Sequence, residues 1–259
     1  MQLGAILPAQ RTTARMAGLL YLLMMITAIF TEFYAHGQLI VHGDGLQTAR
    51  NMVAYERLFR IGIASDLITF AGDVILVLAL YVVLRPVNLN VALLAAFWRL
   101  AESSILAVIP LNDFAALLLL RGTDYLRAFN TQQLQALALF FLSVQAAGYR
   151  IGGLFFGLGS TMFNYLWLKS CYIPRGLAAW GMFSSLVPVI VTFAILVSPT
   201  FEAGYGPFRR ARDGAPIVIL EVALGVWLLV KGIKGNKVGS CSRFFSPITC
   251  DSLLTGAGF

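Results

Sequence analysis

Long apolar runs alternate with short polar breaks along the chain, and six of the runs have the length of a helix. The first covers residues 16–34 and follows Arg11 and Arg15. A basic start resembles a signal peptide, but the run is long and no A-x-A-like site follows it, so a retained anchor helix is expected. The second, residues 61–84, lies between Arg60 and Arg85 and is stopped by Pro86. Its 24 residues rise about 36 Å as a helix. The third runs over residues 90–120 with Pro110 inside it, which predicts a kink or a protruding end.

The fourth region, residues 134–168, is too long for one straight crossing and is divided by Gly148, Tyr149 and Arg150. Residues 151–168 are expected to span, and residues 134–147 to form an approach helix at the interface or over the bundle. Should both halves span, the crossings number seven. The fifth run, residues 177–197, follows Pro174. The sixth, residues 216–230, is closed by Lys231 and Gly232 and is short enough to begin inside protein rather than in lipid. The pattern predicts one helical-bundle domain over residues 1–234. A tail without periodicity, residues 235–259, is expected to be disordered.

Composition changes the picture from helical to membrane-embedded. Hydrophobic residues make up 59% of the chain and charged ones only 12%, where a soluble domain carries about 25%. Too few charges remain to cover a water-facing surface, and disordered chains are polar and poor in aromatics. The expected fold is therefore all-α: a polytopic membrane helix bundle with six transmembrane helices and the lipid bilayer as its partner. Oligomeric state is not legible.

Net charge is +7, but the cations sit mostly in short connections between apolar runs. That placement suits membrane anchoring, so nucleic acid is not an expected partner. With six crossings and the N-terminus inside, nine cations fall on the inner side and eight on the outer. All four lysines, Lys169, Lys231, Lys234 and Lys237, are among the nine. Both termini are expected to be cytoplasmic. Cys171, Cys241 and Cys250 form no C-x-x-C pair, and neither a disulfide framework nor a zinc site is indicated.

Ionisable residues at membrane depth carry the candidate chemistry. Each costs about 2.5–3.5 kcal/mol on insertion scales, so each is expected to face inward with a partner. Asp66 and Asp73 lie two turns apart on one helix face, and Arg99 and Glu102 share another. Counting helical rise from the inner ends puts Asp73 and Glu102 at about 16 Å, Arg99 at about 12 Å and Glu221 at about 14 Å. These four are expected to meet near the midplane as a proton or small-ligand site. Asp66 and Arg150 come out at about 27 Å, near the outer boundary, and are expected to form a structural ion pair. Three acids around one arginine leave excess negative charge, so at least one carboxyl is expected to hold a proton. An ion-pair lock that fixes helix register explains the same residues.

Other signals carry less. Glu32 and His36 are one turn apart, and His42 follows in the first outer loop. Such spacing can place metal ligands on one face. An interfacial cap with a loop histidine is the favoured reading of them, and no H-E-x-x-H motif exists, so no metal or cofactor is expected. Gly153 and Gly157 form a G-x-x-x-G that favours intrachain packing over dimerisation. Trp98, Trp167, Trp180 and Trp227 read as packing or interface anchors. No Walker A, Rossmann or G-x-S-x-G motif is present, and no catalytic residue can be named.

Specific strings add a resemblance. RIGIASDLITFAGDVILVLALYVVLRPVN, from Arg60 to Asn88, and ALLAAFWRLAESSILAV, from Ala92 to Val108, resemble the domain-of-unknown-function 4386 family of bacterial integral membrane proteins. FFGLG, KSCYIPR and EVALGVWLLVKG are similar to it as well. The resemblance covers about residues 10–234 and takes in Arg60, Asp66, Asp73, Arg99 and Glu102. It implies a multi-helix protein of the bacterial inner membrane without assigned activity, and supplies no catalytic residues. Three functions stay open on this reading: binding or transport of a small ligand or proton, a membrane-embedded enzyme acting on lipid or isoprenoid through Glu32, His36 and His42, and a non-catalytic interaction or stress-response subunit.

Overall fold

Helices are the one way an open chain can satisfy its backbone polar groups in lipid, and the apolar runs all take that form. The computed structural model describes residues 8–41, 44–121, 129–198, 200–201, 204 and 207–233, and contains no strand among them. Helix α1 (Pro8–Phe30) passes into a π-helical turn, Thr31–His36, and a last turn, Gly37–Leu39. The short α2 (Gly45–Ala54) is capped by Asp44, whose carboxylate accepts the Gln47 backbone N–H at 2.9 Å. Helix α3 (Glu56–Leu84) starts ahead of its apolar run. Asn88 caps α4 (Leu89–Val108), accepting the Val91 N–H at 3.1 Å. The break expected at Pro110 falls there: α5 (Pro110–Arg121) begins on it.

The expected division at Gly148, Tyr149 and Arg150 does not occur. Helix α6 (Thr131–Ser170) runs unbroken for 40 residues, about 60 Å, and residues 134–147 are its first part rather than a separate approach helix. The glycine there serves packing. A Cβ on Gly148 would stand 2.9 Å from Ile109 Cγ1, and one on Gly152 2.7 Å from Leu106 Cδ2. Close approach of the α4–α5 junction offsets the roughly 1 kcal/mol that a mid-helix glycine costs. The capping box of Asn130 and Gln133 starts this helix, and left-handed Cys171 ends it. Cys171 is disulfide-bonded, contrary to the reading of the cysteines. Helix α7 (Arg175–Val197) and helix α8 (Pro207–Val230) complete the bundle.

Among the described residues, five helical segments are long and apolar enough to cross a membrane: Pro8–Leu39, Glu56–Leu84, Leu89–Arg121, Thr131–Ser170 and Arg175–Val197. The sixth apolar run, Gly214–Val230, is shorter and forms the end of α8. Neighbours pack in the order α1, α3, α4, α6, α7, α8, and α8 returns to α1 to close a ring. Gly18 lets α1 and α8 meet, since a Cβ there would lie 2.7 Å from the Gly225 carbonyl oxygen. The packed interior divides into two apolar clusters, one around Leu80, Trp167 and Leu228, the other around Phe59, Leu117 and Leu142. Large apolar side chains such as Ile68, Ile190 and Val197 stay on the outside, as lipid allows. Residues 235–259, where disorder is expected, lie outside the described residues.

Candidate functional site

Buried charge gathers in two places, both built on α3. Asp66 and Asp73 stand two turns apart on its inward face, and both are buried. In the inner cluster the Arg99 guanidinium, carried by α4, donates through Nη2 to Asp73 Oδ1. The Ser103 hydroxyl, one turn along α4, donates to the other oxygen of Asp73. Both Asp73 oxygens are thus engaged, which is what a carboxylate needs when water is excluded. Arg99 Nη1 lies 3.1 Å from Glu102 Oε2, a charge contact that lacks hydrogen-bond geometry. The same nitrogen donates to Ser160 Oγ on α6 at 3.2 Å, and the guanidinium carbon stands 4.5 Å from the centre of the Phe156 ring.

Glu221 reaches this layer from α8 without joining the direct contacts. It faces Arg99, Asp73 and the Tyr21 hydroxyl of α1 electrostatically. Between them lies a cavity of about 10 Å³, lined by Tyr21, Arg99, Ser160, Asn164 and Glu221 among others. That volume suits a single water and nothing larger. The four residues read from helical rise as one midplane layer are therefore brought together: three in contact, the fourth across a one-water gap.

The outer cluster has more members than the expected pair. Asp66 Oδ2 accepts the hydroxyl of Tyr149, the α6 residue before Arg150, at 3.1 Å. The carbonyl of Arg150 accepts from Thr192 of α7 at 3.1 Å. Asp113 of α5 belongs to the same cluster. It is 0% exposed, its Oδ2 accepts from Gln145 Nε2 at 2.9 Å, and its Oδ1 has no hydrogen-bond partner.

Asp113, Gln145 and Tyr149 escaped the sequence reading, although a signal existed. Asp113 is an acid inside the third apolar run, three residues after Pro110. Gln145 and Tyr149 stand one turn apart in the fourth. Expecting the fourth run to break at 148–150 hid that spacing. Ser103, Ser160 and Asn164 were equally silent, because small polar residues are common at any helix contact in lipid.

Glu32 lies in the π-helical turn and is exposed. His42 and the side chain of His36 lie outside what the structure describes, and among the described residues no group of three His, Cys, Asp or Glu side chains gathers. Gly157 of the G-x-x-x-G serves the α6–α7 contact, where a Cβ would come 2.5 Å from the Ser185 carbonyl oxygen. Gly153 has looser surroundings, with Pro188 Cβ at 3.9 Å. Trp167 is fully buried against Tyr172, and Trp180 donates to the Pro216 carbonyl at 3.1 Å.

Comparison with known proteins yields a family and no activity. The family model described as a domain of unknown function, DUF4386, matches residues 16–232. A protein of Archaeoglobus fulgidus, described as uncharacterized, is 26% identical over 171 residues, which is 65% of this chain and 82% of that one. No solved structure matches.

Proposed function

The chain belongs to the DUF4386 family, and from its buried charges we propose that it is a proton-linked carrier of a small solute across the cell membrane. One observation carries this: three carboxyls, Asp73, Glu102 and Glu221, face a single guanidinium, Arg99, in a core with room for one water. Two negative charges in excess at this depth are not tolerable without compensation. Asp73 is matched by Arg99 and Ser103, so the proton belongs on Glu102 or Glu221. The one-water gap suits a proton and excludes an organic ligand at this spot. Loss of that proton would free Glu221 to compete with Asp73 for Arg99, and α8 would move against α3 and α4. The lysines at the inner ends of the helices support cytoplasmic termini in the inner membrane.

The test uses proteoliposomes loaded with a pH-sensitive dye and offered a panel of amines, organic anions and sugars. A solute that moves protons with wild-type protein, but not with Glu221→Gln, is the expected result. Glu221→Gln leaves the Asp73–Arg99 pair whole, so its bundle should stay folded. Absence of solute-driven proton movement with wild-type protein would refute the carrier.

A second reading has its own support. The two acids in contact with Arg99, Asp73 and Glu102, are buried, and Gly159 makes room for the arginine stem, as a lock between helices requires. On that reading the protein is a non-catalytic subunit, and Glu221→Gln changes stability alone.

A further inference from the structure

The outer cluster has no part in the carrier reading, yet it is a built site. Asp66 comes from α3, Asp113 from α5, and Gln145 and Tyr149 from adjacent turns of α6. Gln145 and Tyr149 lie on one face, so α6 offers one polar partner to each acid. The fully buried Asp113 keeps one oxygen without a partner. An independent feature points to the same level. The π-helical turn ends a segment of α1 that Ser65 and Thr69 tie at Thr27, where the two hydroxyls of Thr27 and Thr69 lie 2.7 Å apart. One turn further out, Thr31 is buried and its hydroxyl has no partner. Antiparallel pairing carries it to the level of the α3 turn that ends at Asp66. A π-helical turn is rare and frequently marks function.

We infer that Asp66 and Asp113, with Tyr149 and Gln145, form a second proton-binding site in the outer half of the bundle, the proton residing on Asp113. Asp113 is a buried carboxyl beside another, and among the described residues its hydrogen-bond partner is an amide, not a cation. The groups around it bear this out. Asp66 faces it from α3, and Tyr149 is the titratable group facing it from α6, with Arg150 the next residue of that helix. Glu32 of the π-helical turn faces Tyr149. The one charged residue of α2, Arg50, is exposed, and Arg99 and Glu102 of α4 are spent on the inner cluster. At the outer end of α3 and α5, Glu56 is held by Arg60 and Arg121. Among the described residues no three His, Cys, Asp or Glu side chains converge here. Asp66 and Asp73 are about 10 Å apart along α3, which sets the two sites in series across the bundle. This order rests on the proton reading of the inner cluster; the protonation of Asp113 does not.

The test is infrared spectroscopy of the full-length protein in lipid at neutral pH, with the aspartate carboxyl carbons isotopically labelled. A protonated-carboxyl band that shifts with the aspartate label and is lost in Asp113→Asn is expected. Glutamate labelling reports on the inner cluster separately, since its proton is assigned to Glu102 or Glu221. No aspartate band in wild-type protein would overturn the inference even if Asp113→Asn failed to fold. So would a band that survives Asp113→Asn, or one that disappears when sodium is added at constant pH, which would mark a cation site instead.

Discussion

Gly159 of α6 lies directly against the stem of Arg99: a Cβ at Gly159 would stand 2.7 Å from Arg99 Cγ and 3.0 Å from the Ala95 carbonyl oxygen. The absence of a side chain on one helix thus sets where the guanidinium of another can sit. Gly159→Ala should push the arginine off Asp73 or spread α4 from α6. A loss of about 1–3 kcal/mol is expected, as for other overpacked cores, read by thermal unfolding in detergent. A melting curve that matches wild type would mean that Arg99 is placed by something else.

Asp73 and Arg99 should be strongly coupled. Removing one partner leaves a buried charge, which costs about 3–5 kcal/mol. Asp73→Asn and Arg99→Gln should each be severe, and the double variant much milder than their sum. Additive losses would show that the contact contributes nothing as a pair.

The two glycines of the G-x-x-x-G should behave differently. Gly157→Ala meets backbone at 2.5 Å and should weaken the α6–α7 contact, while Gly153→Ala, with 3.9 Å to Pro188, should be tolerated. Protease sensitivity of the two variants separates them. Equal sensitivity would contradict the packing.

Tyr172, in the turn between α6 and α7, is buried, and burial raises its phenol above the ordinary value. The fold therefore favours the neutral phenol. Its contribution is complete below about pH 10, the value in an unfolded chain, and is lost as pH rises through the higher folded value. Wild-type protein should lose stability in that alkaline range, and Tyr172→Phe should lose less. Identical alkaline limbs for the two would remove Tyr172 from the account.

Much of the layer structure was legible from helical period and rise. Asp73, Arg99, Glu102 and Glu221 were readable as one layer because 1.5 Å per residue fixes depth along a helix whatever its neighbours are. Direct partners were not legible. Glu221 stands across a cavity, and Asp66 bonds Tyr149, because these outcomes depend on how far apart two helix axes lie and how each is turned. The continuous α6 was misread for the same reason. A glycine beside a polar pair signals a break only when no other helix is close enough to use the space, and here Ile109 and Leu106 are.

Hydropathy by itself determined that this chain forms helices, that lipid is their surroundings and that charged residues deep in the apolar runs, such as Asp66, Asp73, Arg99 and Glu102, turn inward, because each of these follows from solvation cost along one chain. Which acid meets which donor, which glycine admits which stem, and that Asp113 joins Asp66 were decided only in the folded bundle. Contacts between helices depend on the positions of residues far apart in sequence, and a linear pattern carries no measure of that distance.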